Sequence, residues 1–244
     1  MPGQLENRIA VVSGASRGIG RHAALELARK GAHVVALART QGGLEELDDE
    51  IRAAGGSATL VPADVKDYPA LDRLGAAIHE RWGKLDILIG NAGILGGLSP
   101  LGHIEPKTWD EVMAVNVTAN WRLIRSLDPL LRRSDDARAI FVTSGAAYKT
   151  FAYWGAYSTS KAALEALVNT YAAESATTTV SVNMFSPGPT RTRMRAQAMP
   201  GEDPETLPGP EEVAAQLVEM CLPGFKDRGA TYKYAPAGLF KFRP

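Results

Sequence analysis

The chain has 244 residues, with 27 Lys+Arg balancing 27 Asp+Glu, so it lacks the basic surplus of a protein held to nucleic acid by phosphate neutralisation. Hydrophobic residues at 45% and charged residues at 22% exclude a disordered chain and suit one α/β domain over residues 1–244. Cys221 is the only cysteine, so no intrachain disulfide can form, as expected of a reducing compartment.

From the N-terminus, Met1 to Arg8 is polar, and the apolar run Ile9 to Val12 is too short for a signal peptide or for the roughly 20 residues of a membrane span. No longer run follows, and the sequence reads as that of a cytoplasmic protein with no membrane partner. Short apolar runs then alternate with amphipathic stretches. They predict strands at Ile9–Ser13, His33–Ala38, Thr59–Pro62, Asp86–Ile89, Ala139–Ser144 and Val180–Phe185, with a weaker seventh near Thr231–Ala235. Helical patterns fall at Gly18–Lys30, Gly43–Ala54, Tyr68–Trp82, Thr108–Arg133, Tyr157–Ser175 and Pro210–Cys221. Nearly continuous apolar strands between helices predict a doubly wound parallel sheet of about seven strands, covered by helices on both faces. One long irregular stretch, 186–209, has the length of a lid or substrate loop.

The first predicted strand runs into Ser13-Gly14-Ala15-Ser16-Arg17-Gly18-Ile19-Gly20. Glycines at 14, 18 and 20 permit positive φ and close approach of bare backbone to an anion. The helix that follows offers unpaired N–H groups to a pyrophosphate. This is the strand–turn–helix context of a dinucleotide site in a Rossmann-like fold. The same residues also spell Gly14-x-Ser16-x-Gly18, the pattern of a hydrolase nucleophile elbow. That reading needs an oxyanion loop from an earlier strand and a late histidine. Only 13 residues precede Gly14, and the histidines stand at 22, 33, 79 and 103.

A dinucleotide fold that selects NAD places an acid at the end of its second strand, on the ribose 2′-OH. Here that position is Ala38, followed by Arg39 and Thr40. Arg39, with Arg17 from the glycine turn, would hold a 2′-phosphate through charge-assisted bonds, so NADP(H) is favoured over NAD(H). Tyr157 and Lys161 are four apart and share a helix face. An ammonium beside a phenol favours the phenolate and moves its pKa toward the working range. Ser144, at the preceding strand end, would hydrogen-bond a substrate carbonyl.

With these motifs the chain resembles the classical short-chain dehydrogenase/reductase family over nearly its whole length. The resemblance rests on the glycine turn, Asp64-Val65, Asn91-Ala92-Gly93, Asn116, Ser144, Tyr157 with Lys161, and the run Pro187-Gly188-Pro189-Thr190-Arg191-Thr192. It implies an Ile19 backbone contact to pyrophosphate, Asp64 on the adenine amino group and Val65 backbone on the ring. Asn91 would line the cofactor cleft, and Thr190 and Thr192 would hold the carboxamide and phosphates. Tyr157 would be the acid/base, Lys161 would bind the nicotinamide ribose, Ser144 would orient the carbonyl, and Asn116 would anchor a relay water. Two positions depart from the family pattern: Ser13 stands for threonine, and Gly90 for the first asparagine of N-N-A-G.

The substrate is expected over Tyr157, between 145–154, 94–104 and the 186–209 loop, against a partly apolar wall of Ala147, Tyr148, Phe151, Tyr153 and Trp154. Arg191, Arg193 and Arg195 read as a solvated helix face, with contact to an anionic substrate or to cofactor phosphates as the alternative. The resemblance implies a homotetramer or homodimer packed through the helices around 108–133 and 157–175. The tail from Leu239 to Pro244 reads as a segment docking on a partner subunit. The function expected is NADP(H)-dependent carbonyl reduction or alcohol oxidation, with a catalytically quiet NADP-binding sensor or scaffold as the alternative. No metal is expected.

Overall fold

The computed structural model describes residues 3–242. Eight strands form one sheet: β1 (Ile9–Ser13), β2 (His33–Ala38), β3 (Ser57–Pro62), β4 (Ile87–Gly90), β5 (Ala137–Val142), β6 (Val180–Ser186), β7 (Thr231–Lys233) and β8 (Phe240–Phe242). Their order is β3-β2-β1-β4-β5-β6-β7-β8. All adjacent pairs run parallel except β7 with β8. The helices are α1 (Gly18–Arg29), α2 (Gln41–Ala53), α3 (Tyr68–Trp82), α4 (Pro106–Met113), α5 (Ala119–Leu131), α6 (Gly155–Glu174), α7 (Arg193–Ala198) and α8 (Pro210–Glu219).

The two faces of the sheet follow from the two-residue side-chain period of a strand. In β1, Ala10 and Val12 point into a core with Ala24 and Leu27 of α1, Leu47 of α2 and Leu217 of α8. Ile9 and Val11 point the other way, to Leu74 of α3, Leu127 of α5 and Val168 of α6. β1, β2 and β4 are therefore buried almost throughout and read as nearly unbroken apolar runs, whereas β3 and β8, at the two edges of the sheet, are only partly buried. Local signals set several helix ends. The Asp67 side chain accepts from Ala70 N at 3.0 Å to start α3, and Gly83 closes that helix in the left-handed region at φ 71°.

Three features of the structure differ from the sequence expectation. β5 ends at Val142, so Thr143 and Ser144 lie beyond the ladder, with Ser144 capping a single 3-10 turn over Gly145–Ala147. The long helix expected over 108–133 is α4 and α5 joined by a π turn at Ala114–Thr118. The tail forms β8, an antiparallel edge strand on β7 that no predicted strand covered; Arg243 and Pro244, the end of the segment expected to dock on a partner subunit, lie outside the described residues. The physical reason is local: Phe242 packs on Tyr148, with ring centroids 4.8 Å apart, and Lys233 Nζ lies over the Phe242 ring, 3.2 Å from its centroid. No described helix is long and apolar enough to cross a membrane.

Candidate active site

The C-terminal ends of β1, β2, β4, β5 and β6 border one cleft of about 380 Å³, where a doubly wound sheet binds its ligand. Its lining brings together Gly14, Ser16, Arg17, Gly18, Ile19, Arg39, Thr40, Asp64, Val65, Asn91, Ala92, Gly93, Tyr157, Lys161, Pro187 and Thr192. Residues from six separate segments thus converge. Ala38, Ile94, Val142, Met194 and Pro210 add an apolar component to the wall.

The glycine turn has the shape an anion needs. Gly14 and Gly18 hold φ of 69° and 56°, which a residue with a Cβ adopts only under strain. Arg17 is the N-cap of α1 and makes no side-chain cap bond, so the first N–H groups of the helix are left for a ligand. Gly20 does not line the cleft. A Cβ there would collide with the Asn91 amide and lie 2.5 Å from the Gly14 carbonyl oxygen, so this glycine lets the turn close on β4. Asn91 completes the join by donating from Nδ2 to the Ser13 carbonyl at 2.9 Å.

Ser13 proves to be more than a substitute hydroxyl. Its Oγ accepts from the backbone N–H groups of Asn91 and Ala92, both at 3.0 Å, and fixes the loop after β4 against β1. At Gly90 the asparagine of the family pattern has no room. A Cβ would run into the Phe141 ring and lie 2.6 Å from Asn120 Oδ1.

At the adenosine end, Arg17 and Arg39 are both exposed and both line the cleft beside Ala38. Arg39 Nη1 lies 3.8 Å from Asp64 Oδ2, and Lys66 Nζ is 4.0 Å from the same oxygen. Asp64 Oδ1 accepts from the Lys66 N–H at 2.9 Å, which shapes the turn after β3.

At the other end, Tyr157 and Lys161 project from the first turns of α6, buried at 8% and 4% exposure. Lys161 Nζ donates to the Val142 carbonyl at 2.9 Å and stands 5.8 Å from the centre of the Tyr157 ring. Burial works against the lowering of the Tyr157 pKa expected from Lys161. Burial dominates and raises it, while the hydrogen bond to Ser144 opposes the rise. Burial also pulls Lys161 down to about 8, against the opposing charge of Glu165. A lysine so placed changes charge near neutrality, which an exposed one at about 10.4 does not.

Asn116 sits in the π turn with its side chain fully engaged. Oδ1 accepts from Ile94 N at 2.9 Å, while Nδ2 donates to the Ile94 carbonyl at 3.0 Å and to Ser160 Oγ at 2.9 Å. Its own carbonyl accepts from Asn120 Nδ2 at 2.8 Å. Asn116 thereby ties the 91–94 loop to α6.

Thr190 also departs from expectation. It is buried, outside the cleft lining, with its hydroxyl turned to the carbonyls of Pro187 at 3.4 Å and Gly188 at 3.3 Å. Thr192 does face the cleft and caps α7 by accepting from Arg195 N at 3.3 Å. Gly188, with φ 68°, shapes the same turn. Two arginines of the loop are internally paired: Arg191 with Glu205 at 2.8 Å, and Arg195 with Glu202 at 2.5 and 2.6 Å. Arg193 is exposed and lines the cleft. Among the described residues, no cluster of His, Cys, Asp or Glu has the makings of a metal site.

The short chain dehydrogenase model matches residues 8–203. The chain belongs to the short chain dehydrogenase family. Among similar members, the oxidoreductase YciK of Escherichia coli is 37% identical over 212 residues, which cover 86% of this chain and 84% of YciK. A short chain dehydrogenase from Escherichia coli, solved in complex with NADPH, superposes with a TM-score of 0.90 at 34% identity, over 97% of this chain and 100% of that one. An oxidoreductase of Mycobacterium tuberculosis described as NAD-dependent is 36% identical over 199 residues, 76% of this chain and 72% of that protein. Both nicotinamide cofactors are thus represented among these relatives.

Within this short chain dehydrogenase, sequence reasoning missed the Ser13 clamp, Thr143 and Glu165. Thr143 lines the cleft and donates to Glu165 at 2.6 Å. A signal for Glu165 was present, since it stands four residues beyond Lys161 on the same helix.

Proposed function

We propose that the chain is an NADP(H)-dependent oxidoreductase acting between a carbonyl and an alcohol, with Tyr157 as the acid/base. The observation that carries this reading is the meeting of Tyr157 and Lys161 at one end of a cleft whose other end is the glycine turn with Arg17 and Arg39. The donor set fits a phosphorylated dinucleotide: bare backbone at the head of α1 for the pyrophosphate, and two guanidinium groups, with no acid at position 38, for a 2′-phosphate. The likeness to a solved relative holding NADPH supports the same choice.

When bound, the nicotinamide supplies or takes the hydride. In the reducing direction the Tyr157 hydroxyl gives its proton to the substrate oxygen, and the Ser144 hydroxyl holds that oxygen in place. The burial that raises the Tyr157 pKa keeps the phenol protonated until charge develops on the substrate oxygen. Lys161, an ammonium at pH below about 8, then stabilises the phenolate left behind. Ser16, Ile19, Asp64, Val65, Asn91, Ala92, Gly93, Thr40, Pro187 and Thr192 form the remaining cofactor wall, while Gly20, Gly188 and Thr190 support it from behind and Asn116 positions it.

Above Tyr157 lies a small apolar cluster of Leu95, Ala146 and Ala198, joined by Trp154, Met194 and Met199. The loop 186–209, through α7, thus closes over the tyrosine with apolar side chains, and the proposed substrate carries an apolar group beside its carbonyl. The test is a panel of ketones, aldehydes and quinones followed at the NADPH absorbance. Tyr157→Phe should bind NADPH within a few-fold of the parent and lose turnover with any compound that reacts. Undiminished turnover in that variant would overturn the acid/base assignment.

A further inference from the structure

Two side chains one turn apart on α6 reach the same short stretch of backbone. Lys161 Nζ donates to the Val142 carbonyl at 2.9 Å, and Glu165 Oε1 accepts from Thr143 Oγ1 at 2.6 Å. Ser144 is the next residue. The strand end that carries Ser144 is therefore fastened twice to the helix that carries Tyr157. Thr143 and Lys161 are buried, at 1% and 4% exposure. Glu165 faces away from the cleft, into a second, polar cavity of about 150 Å³ lined also by Asn169, Arg228, Thr231 and Lys241. Thr143 lines the first cavity and Glu165 the second, so their hydrogen bond joins the two.

We infer that Glu165, held in place by Thr143, is the counter-charge of Lys161: a positioning residue that keeps the buried ammonium protonated beside Tyr157. Its consequence for turnover rests on the acid/base reading of Tyr157, but the inference itself concerns only the charge state of Lys161.

The physical argument starts from desolvation. A buried ammonium with only a carbonyl for company loses its proton readily, and a carboxylate nearby restores the charged form. The groups packed around this pair fit that role for Glu165. Beside Lys161 stand neutral groups: the Val142 carbonyl, the Tyr157 phenol, and Gly93, where a Cβ would lie 3.7 Å from Nζ and 3.4 Å from Asn116 Oδ1. Across the second cavity, the cations are committed elsewhere, Arg228 to the Thr178 carbonyl and Lys241 to Asp227, each at 2.7 Å. Glu165 is the charge that opposes the downward pull of burial on Lys161. Burial in turn raises the Glu165 pKa, and the Thr143 hydroxyl followed by Lys161 holds it down. Thr143 thereby keeps the carboxylate both aimed and ionised.

The test uses the whole, cofactor-free protein labelled with ¹³C at lysine Cε and titrated by NMR, with Lys161→Met to assign the resonance. The parent should show Lys161 titrating near 8. In Glu165→Gln, which keeps the side-chain volume, the midpoint should fall by about one pH unit, with Glu165→Asp recovering most of the shift. Thr143→Val should lower the midpoint by a smaller amount, and it serves as the reading if Glu165→Gln does not fold. A purely structural Glu165 would change thermal stability and leave the midpoint in place. An unmoved midpoint in whichever of these variants folds overturns the inference. Tyr157→Phe that retained turnover would overturn the acid/base reading and leave this titration unaffected, so the two can fail separately.

Discussion

Asn116 Nδ2 donates to Ser160 Oγ at 2.9 Å, and the same hydroxyl donates to the Tyr157 carbonyl at 2.7 Å. Through this pair the π turn between α4 and α5 grips the first turn of α6, which carries Tyr157. The remaining polar atoms of Asn116 hold the backbone of Ile94, so one side chain spans three segments of the site.

The pair predicts an order of stabilities. Asn116→Ala leaves the Ile94 N–H and carbonyl without their partners and should cost about 2–3 kcal/mol. Ser160→Ala removes the bonds to Asn116 and to the Tyr157 carbonyl while Asn116 keeps its hold on Ile94, and it should cost about 1–2 kcal/mol. Urea denaturation of the two variants checks the order; equal losses would mean that Asn116 does not brace the loop.

The second prediction concerns the cofactor. Arg39 has a side-chain exposure of 54% and a weak partner in Asp64 at 3.8 Å, so it is free to swing onto a phosphate. Removing a charge-assisted hydrogen bond of this kind is worth about 1.5–3 kcal/mol, which corresponds to roughly a tenfold to hundredfold loss in affinity. Arg39→Ala with Ala38→Asp should therefore weaken NADPH binding by about tenfold or more and strengthen NADH binding. Nicotinamide fluorescence titrations measure both without any substrate. An unchanged ratio of the two dissociation constants would remove the 2′-phosphate from this corner.

The third concerns pH and stability. Asp86 is fully buried just before β4, at the opposite end of the strands from the cleft, where it accepts from Ile9 N at 2.9 Å, Ser134 Oγ at 2.6 Å, Arg8 Nη1 at 2.9 Å and Lys84 Nζ at 3.0 Å. Burial works against its charge, but the four donors outweigh it and hold the carboxyl below its ordinary value. A depressed pKa in the folded state gives stability that is full above the unfolded value of about 3.9 and is lost as pH falls through the folded value. Asp86→Asn should lose about 3 kcal/mol at neutral pH. Its deficit against the parent should shrink below about pH 4. Denaturation midpoints across that range check the sign.

The sequence made the sheet legible because a strand buried on both faces must be apolar throughout, as Val34 to Ala38 is. It made the cofactor cradle legible because positive φ at Gly14 and Gly18 restricts the residue choice. It hid the π turn, since Val112, Val115 and Ala119 keep an apolar rhythm through Asn116 that one extra backbone residue barely disturbs. It hid β8, because Phe-Lys-Phe becomes a strand only when β7 is there to pair with it. The arginine–glutamate pairs of the 186–209 loop were also out of sight: Arg195 meets Glu202 only after α7 and the turn beyond it have formed. Glu165 was visible as a residue but not as a partner, because its hydrogen bond crosses from α6 to the end of β5.

Gly90 carries a consequence for how this chain can change. A side chain there would meet the Phe141 ring and the Asn120 amide, so the family's asparagine cannot return in one step without displacing core. Reversion would have to follow a reduction at position 141, itself harmful while Gly90 leaves no side chain to fill the gap. The two positions should therefore be coupled, with a side chain at 90 accommodated only alongside a smaller one at 141.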